Sequence, residues 1–225
     1  MLGRFYTIAT PIGNLKDITL RAIETLKEVD VIFAEDTRVT KKLLSHYEIS
    51  KPLFSYHEHS PQSVYEHALK LLNEGKNIAL VTDAGTPGIS DPGARLVSFV
   101  KSQMLNVKVV PIPGPSALIA ALSVSGIYAS EFTFLGYPPH KKGRQKFFNA
   151  LKEINIWPVV FYESTHRLQK TFEGLLAVMS GDNLIIVAKE LTKLHEEIWS
   201  GPLKDASEHF RGERQKGEFI VIIPK

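Results

Sequence analysis

Val81-Thr-Asp-Ala-Gly-Thr-Pro-Gly-Ile-Ser-Asp-Pro-Gly93 follows directly on a short apolar run, Asn77-Ile-Ala-Leu-Val-Thr82. The stretch holds three glycines, two prolines and two aspartates, so it cannot pack as core. Glycine tolerates positive φ and lets the backbone come close to a ligand, and Asp91-Pro92 reads as the N-cap and first position of a new helix. Loops at the carboxyl ends of strands are where open α/β sheets bind small molecules. Two other segments share this character: Thr10-Pro-Ile-Gly-Asn14 after the first expected strand and Pro111-Ile-Pro-Gly-Pro-Ser-Ala117 after the fifth. Three such loops on one chain indicate a ligand crevice rather than three unrelated turns.

Outward from this loop, the first half alternates strand and helix. Strands are expected near 4–9, 30–34, 52–56, 77–82 and 107–111, with helices near 19–28, 38–46, 61–74 and 92–103. Leu20, Ile23, Leu26 and Val29 recur at helical spacing, whereas Ile78-Ala-Leu-Val81 is a continuous apolar run suited to a buried parallel strand. Ser60-Pro61 and Asp91-Pro92 read as helix starts and Gly75-Lys76 as a stop. This rhythm implies βαβ crossovers and a mainly parallel sheet. After Pro111–Pro115 the rhythm changes. A helix near 115–125 precedes strands near 132–136, 157–162, 184–189, 195–200 and 217–223, with helices near 143–152, 165–178 and 203–211. Ile185–Ser200 reads as a hairpin, so the second half should carry a mixed sheet. The expected domains are 1–113 and 114–225.

The bulk numbers narrow the classes. A chain of 225 residues can bury a sizeable core, and net charge +3 gives weak whole-surface attraction to nucleic acid, so any such contact needs local patches. His140-Lys-Lys-Gly-Arg-Gln-Lys146 is the best patch, though a solvated loop before a helix explains it equally well. There is no cysteine, which removes disulfides, thiolate metal sites and cysteine nucleophiles and fits a cytoplasmic protein. No apolar run near 18 residues and no signal-like N-terminus are seen, so no membrane association is expected.

Motifs exclude more. There is no G-x-G-x-x-G after a strand and no G-x-x-x-x-G-K-S/T, so the common dinucleotide and P-loop fingerprints are missing. His195-Glu-Glu-Ile-Trp199 lacks the second histidine of a zincin, and His57 with His59 lacks a third ligand; no metal is expected. What remains are polar clusters at strand ends. Ala34-Glu-Asp-Thr-Arg38 opens a helix, with Asp36 or Thr37 as cap. Phe161-Tyr-Glu-Ser-Thr-His-Arg167 repeats the arrangement, with Ser164 as the expected cap and Arg167 in the first turn, where a cation opposes the helix dipole. Ala188-Lys-Glu-Leu-Thr-Lys193 ends a third strand in charges. Three such clusters read as a site.

The order TPIGNLKDIT, AEDTR, LVTDAGTPGISDPG, VPIPGPSA, FYESTHRL, AKELTK, EEIWSGPL and KGEFIVII closely resembles the ribosomal RNA small subunit methyltransferase I group of the tetrapyrrole methylase superfamily, across essentially the whole chain. The resemblance implies two α/β domains of the tetrapyrrole methylase type with S-adenosylmethionine (SAM) in a cleft between them, a homodimer, and a small ribosomal subunit RNA partner. It implies methylation of the ribose 2′-hydroxyl of a cytidine in 16S ribosomal RNA. By the same resemblance, Pro11 and Gly13 form a wall near the sulfonium, and Asp83, Gly85, Thr86 and Ile89 hold the methionyl part and ribose. Ser116 and Ala117 stand beside the methionyl group, while Tyr162, Leu191, Glu218 and Phe219 surround adenine. Where many relatives have Gly-Asp-Pro this chain has Gly85-Thr86-Pro87, so the acidic contact passes to Asp83. Many relatives also continue into a small extra domain, whereas this sequence ends at Pro224-Lys225.

The chemistry required is an in-line displacement, helped by positioning and by a base for a poorly nucleophilic hydroxyl. Glu35, Asp36, Glu163, Lys189 and Glu190 are the candidates for that base. Arg38, Arg167 and Lys193 suit phosphate contacts. Two alternatives compete: C-methylation of a tetrapyrrole such as uroporphyrinogen, whose acidic groups would also welcome these cations, and a non-catalytic nucleotide-binding module holding phosphate at helix N-termini.

Overall fold

Ile78-Ala-Leu-Val81 has no polar position, and a strand without one must be covered on both faces. The computed structural model, which describes residues 1–225, has two units, Met1–Ser116 and Ala117–Lys225. In the first, strands β1 (Arg4–Ile8), β2 (Val31–Ala34), β3 (Leu53–Ser55), β4 (Ile78–Val81) and β5 (Lys108–Ile112) form one sheet in the order β3-β2-β4-β1-β5, every pair parallel. Between them run α1 (Leu20–Glu28), α2 (Thr37–His46), α3 (Gln62–Asn73) and α4 (Gly93–Gln103). Strand residues alternate between two cores. Ile8, Ile32, Ala34, Ala79 and Val81 pack with Ala22, Leu26, Leu43 and Leu44 of α1 and α2. Phe5, Val31, Phe33, Ile78 and Leu80 pack with Ala68, Leu72, Leu96 and Val100 of α3 and α4. The expected parallel α/β sheet is what forms, because both faces of each strand have apolar cover.

The second unit begins with α5 (Ala117–Val124) and builds a mixed sheet from β6 (Thr133–Phe134), β7 (Val159–Ser164), β8 (Leu184–Lys189), β9 (Glu197–Pro202) and β10 (Glu218–Ile223). The order is β6-β7-β10-β8-β9; β6 and β7 are parallel and the other pairs antiparallel. The expected hairpin is β8–β9. Helices α6 (Arg144–Ala150), α7 (Leu168–Leu176) and α8 (Leu203–His209) cover one face, where Val159, Phe161, Ile185, Val187, Phe219 and Val221 meet Phe148, Phe172 and Phe210. The alternate residues lie on the opposite face, and α5 packs against β10.

Local chemistry moved some boundaries. The units divide after Ser116 rather than after Pro113, because Pro115 stays with the first sheet through a hydrogen bond that its carbonyl accepts from the Thr86 hydroxyl (3.3 Å). Ser164 caps nothing: it is the last residue of β7, and α7 starts only at Leu168, with Arg167 as its N-cap residue. Ser60 likewise does not cap α3; its hydroxyl accepts from the His57 amide (2.8 Å). No helix is long and apolar enough to cross a membrane.

Candidate active site

In the first unit, the loops after β1, β4 and β5 follow adjacent strands, since β1 lies between the other two. Hydrogen bonds lock them together. The Thr10 amide donates to the Gly85 carbonyl (2.9 Å) and the Gly85 amide returns to the Thr10 carbonyl (3.0 Å). The buried Thr10 hydroxyl donates to the Thr82 carbonyl (3.0 Å). Gly85 has φ +83°, a conformation that L side chains rarely adopt, so glycine is what permits this crossing.

Further along the same loop, the Asp91 carboxylate accepts from the amides of Gly88, Ile89 and Gly93. It therefore serves as a cap, although Pro92 occupies the N-cap position and the helix begins at Gly93. A Cβ on Gly93 would lie 2.8 Å from the Asp91 carboxylate, so the turn has no room for a larger residue. Ile89 is held with half of its surface exposed.

The cluster at the end of β2 joins these loops. Thr82 donates from its hydroxyl to Glu35 Oε2 (2.7 Å), and the Asp36 amide donates to Asp83 Oδ1 (2.9 Å). Asp36 caps α2 through the Arg38 amide (2.8 Å) and pairs with the Arg38 guanidinium (2.6 Å). That hydrogen-bonded guanidinium holds the Asp36 carboxyl down to about 2, which leaves it a poor proton acceptor. Asp83 behaves in the opposite way. Although the residue is exposed, partial desolvation raises its carboxyl above the ordinary aspartate range against the Asp36 amide bond, and the nearby Glu35 and Asp36 charges add to the rise. Glu35 keeps Oε1 without a hydrogen-bond partner in the protein.

The second unit uses its charges differently. Glu163 is 1% exposed and both its oxygens are occupied. Oε1 accepts from the Ser164 amide (2.8 Å) and forms an ion pair with Arg167, whose Nε lies 2.9 Å away and donates to the Ser164 hydroxyl (3.0 Å); Oε2 accepts from Arg144 (3.3 Å) and, in a short bond, from the Thr171 hydroxyl. Arg167 also donates to the Pro138 carbonyl (2.9 Å) and lies over the Tyr137 ring. These residues form a closed brace, so Glu163 has no lone pair for a substrate proton and Arg167 no free fork for phosphate. Glu190 is a staple: its amide donates to the Glu218 carbonyl and its carboxylate accepts from the Glu218 amide (2.9 Å each). Lys193 bridges Glu190 and Glu218 at 2.8 Å. Burial alone would raise the Glu190 carboxyl, but Lys193 and the Glu218 amide hold it below the usual range. Lys193 is raised in turn: the same two carboxylates outweigh its own burial.

Strand parity separates what proximity in sequence had joined. Glu163, Phe219 and Lys189 stand side by side across β7, β10 and β8, on the face covered by α7 and α8; Tyr162, Ile220 and Ala188 occupy the other. Phe219 is therefore core, 5.8 Å from Phe210, and its side chain offers nothing to a ligand. Lys189 is 5% exposed, and its ammonium has no hydrogen bond or ion pair within the protein. Tyr162 joins Phe134 (5.0 Å) and Tyr137 (5.3 Å) in an aromatic cluster, and burial raises its hydroxyl. Leu191 is buried, whereas Pro11, Ser116 and Ala117 are half-buried and Gly13 exposed.

Reading by residue type missed Thr10, Thr82, Arg144, Thr171 and Tyr137. The buried threonines at strand ends carried a signal, since a hydroxyl in an apolar setting needs a partner. Arg144 stood out only as part of the basic patch 140–146, with no sign that it would turn inward to Glu163. No group of three His, Asp or Glu side chains is placed to hold a metal.

Comparison with known proteins agrees with this architecture. The model of the tetrapyrrole (corrin/porphyrin) methylases matches residues 4–207. Ribosomal RNA small subunit methyltransferase I of Thermotoga maritima is 44% identical over 222 residues, covering 99% of this chain and 98% of that protein. The protein of the same name from Escherichia coli O157:H7 is 45% identical over 98% of this chain and 77% of its own length. Among solved structures, a cobalamin biosynthetic enzyme, cobalt precorrin-4 methyltransferase, superposes with a TM-score of 0.75 at 16% identity, over 98% of this chain and 94% of that one. Uroporphyrin-III C-methyltransferase from Thermus thermophilus gives 0.69 at 17%, over 99% and 100%. At such identities the two structures speak for the fold alone.

Proposed function

We propose a function for a chain that belongs to the tetrapyrrole (corrin/porphyrin) methylase family, in its ribosomal RNA small subunit methyltransferase I group. The protein is a SAM-dependent methyltransferase of small-subunit ribosomal RNA, and the methyl goes to the ribose 2′-hydroxyl of a cytidine. It works in the cytoplasm as a homodimer. The observation that carries the chemical reading is the coupling of Glu35, through Thr82 and Thr10, to the glycine loop at Gly85.

The residues of this edge fit SAM. A sulfonium and an ammonium are cations, and Glu35 and Asp83 are carboxylates whose charges repel each other until a cation arrives. Asp83 takes the amine; Gly85, Thr86 and Ile89 line the methionyl part and ribose, with Pro11, Gly13, Ser116 and Ala117 close to them. On the second unit Tyr162 and Leu191 suit adenine and Tyr137 extends the aromatic surface, whereas the Glu218 amide and carbonyl are taken up by Glu190. SAM supplies an electrophilic methyl with an already activated leaving group.

The protein's part is to position and to accept a proton. Glu35 Oε1 takes the proton of the ribose 2′-hydroxyl while Oε2 stays anchored to Thr82. Of the other expected bases, Asp36 is too acidic, Glu163 is fully bonded, Glu190 is stapled to Glu218, and Lys189 lies on the helix-covered face. General-base catalysis contributes about 10²–10⁴-fold. Glu35→Gln should therefore lower kcat by about that factor and leave the Kd for SAM within about threefold of wild type; a kcat near wild type would remove Glu35 from this role. Offering labelled SAM with small ribosomal subunits or with uroporphyrinogen separates the RNA reading from the tetrapyrrole one.

A further inference from the structure

A groove of about 830 Å³ runs along α2 in the first unit, and no step above uses it. Lys41 and Lys51 line it against one acid, Glu48, with Arg38, already paired to Asp36, at its end, and Leu44 and Ile49 form its floor. Arg38 and Lys41, three residues apart, share a helix face. Lys41 and Lys51 have no carboxylate within ion-pair range, and Lys41 is exposed. α2 opens directly after Glu35, so the Arg38 end of the groove lies three residues from the proposed base. A lysine beside a short edge strand blunts edge-to-edge pairing, which accounts for Lys51 next to β3 but gives no reason for Lys41.

We propose that this groove carries the phosphate backbone of the RNA strand leading to the methylated nucleotide. The proposal rests on the RNA reading above. From Arg38 to His46, the end of α2, the helical rise covers about 12 Å, room for roughly three to four stacked nucleotides. No aromatic residue lines the groove, so it provides no stacking platform and reads no base. Its contacts are electrostatic and independent of sequence, and they set register rather than specificity. The excess of cations over acids suits a polyanion.

The test compares wild type, Lys41→Ala/Lys51→Ala and Lys41→Arg/Lys51→Arg on protein-free small-subunit ribosomal RNA and on intact small subunits. The alanine variant should raise the KM for both RNA forms by about tenfold or more. It should make the log–log salt dependence of RNA binding shallower by about two, one for each lysine. Its Kd for SAM should match wild type, and the arginine variant should restore RNA binding. An unchanged KM and salt slope in an active alanine variant would overturn the groove and leave the RNA reading standing. A loss confined to intact subunits would also overturn it, in favour of an acidic ribosomal protein as occupant. Wild type that methylates neither RNA form would instead defeat the RNA reading itself.

Discussion

Asp83 and Arg167 show how one residue type can be either poised or spent. The Asp83 carboxyl is raised mainly by partial desolvation, so the folded chain binds this proton more tightly than the unfolded chain. Its ionisation weakens the fold as pH rises through that raised range, and a bound cation relieves the strain. SAM affinity should accordingly fall as pH is lowered, beginning above the ordinary aspartate value of about 3.9. Asp83→Asn should flatten that profile and weaken SAM by about ten- to hundredfold at neutral pH. Calorimetry across pH measures both, and a wild-type profile already flat would remove Asp83 from the amine. Arg167, by contrast, is spent on a buried carboxylate. Arg167→Ala leaves Glu163 with Arg144 as its one remaining cation, and breaking a buried pair costs about 3 kcal/mol. Tm should drop by roughly 6–12 °C in a chain of this size. An unchanged Tm would mean that the brace is not formed in solution.

Elements were more legible in the sequence than the site was. Glycine and proline punctuation and apolar runs placed every strand of the first sheet within about two residues, most clearly the central strands β2 and β4, which are buried throughout. The glycine loops declared themselves for another reason: a φ of +83° at Gly85 is one that glycine adopts without a Cβ penalty. A Cβ there would meet Ile12 and Pro115 only at ordinary contact distance, so the obstacle is backbone conformation rather than space. Gly85→Ala should cost about 1–2 kcal/mol, and Gly85→Val should weaken SAM by at least about tenfold while far-UV circular dichroism stays native. Affinity equal to wild type in the valine variant would take the loop away from the ligand. Charged strand ends were less legible. Sequence shows that FYESTHR and AKELTK are charged, but Glu163 finds Arg144 from 19 residues upstream and Glu190 finds Glu218 from 28 downstream. A shift of one residue along β7 separates Glu163 from Tyr162 onto opposite faces, which composition does not reveal.

At the scale of the whole chain, each unit has its own core and its own use of polarity. The first keeps a carboxylate edge partly unsatisfied, with Glu35 Oε1 unbonded and Asp83 raised. The second closes its charges upon themselves and presents aromatic surface at Tyr137 and Tyr162. Glu35 is half-buried and Asp83 exposed, so these carboxylates stand open to a cationic or proton-donating ligand. The chemistry that relieves this edge is a cationic methyl donor and a hydroxyl whose proton must leave. The most direct measurement is therefore the identity of the product. Purified protein is incubated with isotopically labelled SAM and unmethylated small ribosomal subunits, and the RNA is digested to nucleosides for mass spectrometry. Label is expected in 2′-O-methylcytidine, with about 10²–10⁴-fold slower labelling by Glu35→Gln. Label on a base, or in uroporphyrinogen offered alongside and not in RNA, would contradict this.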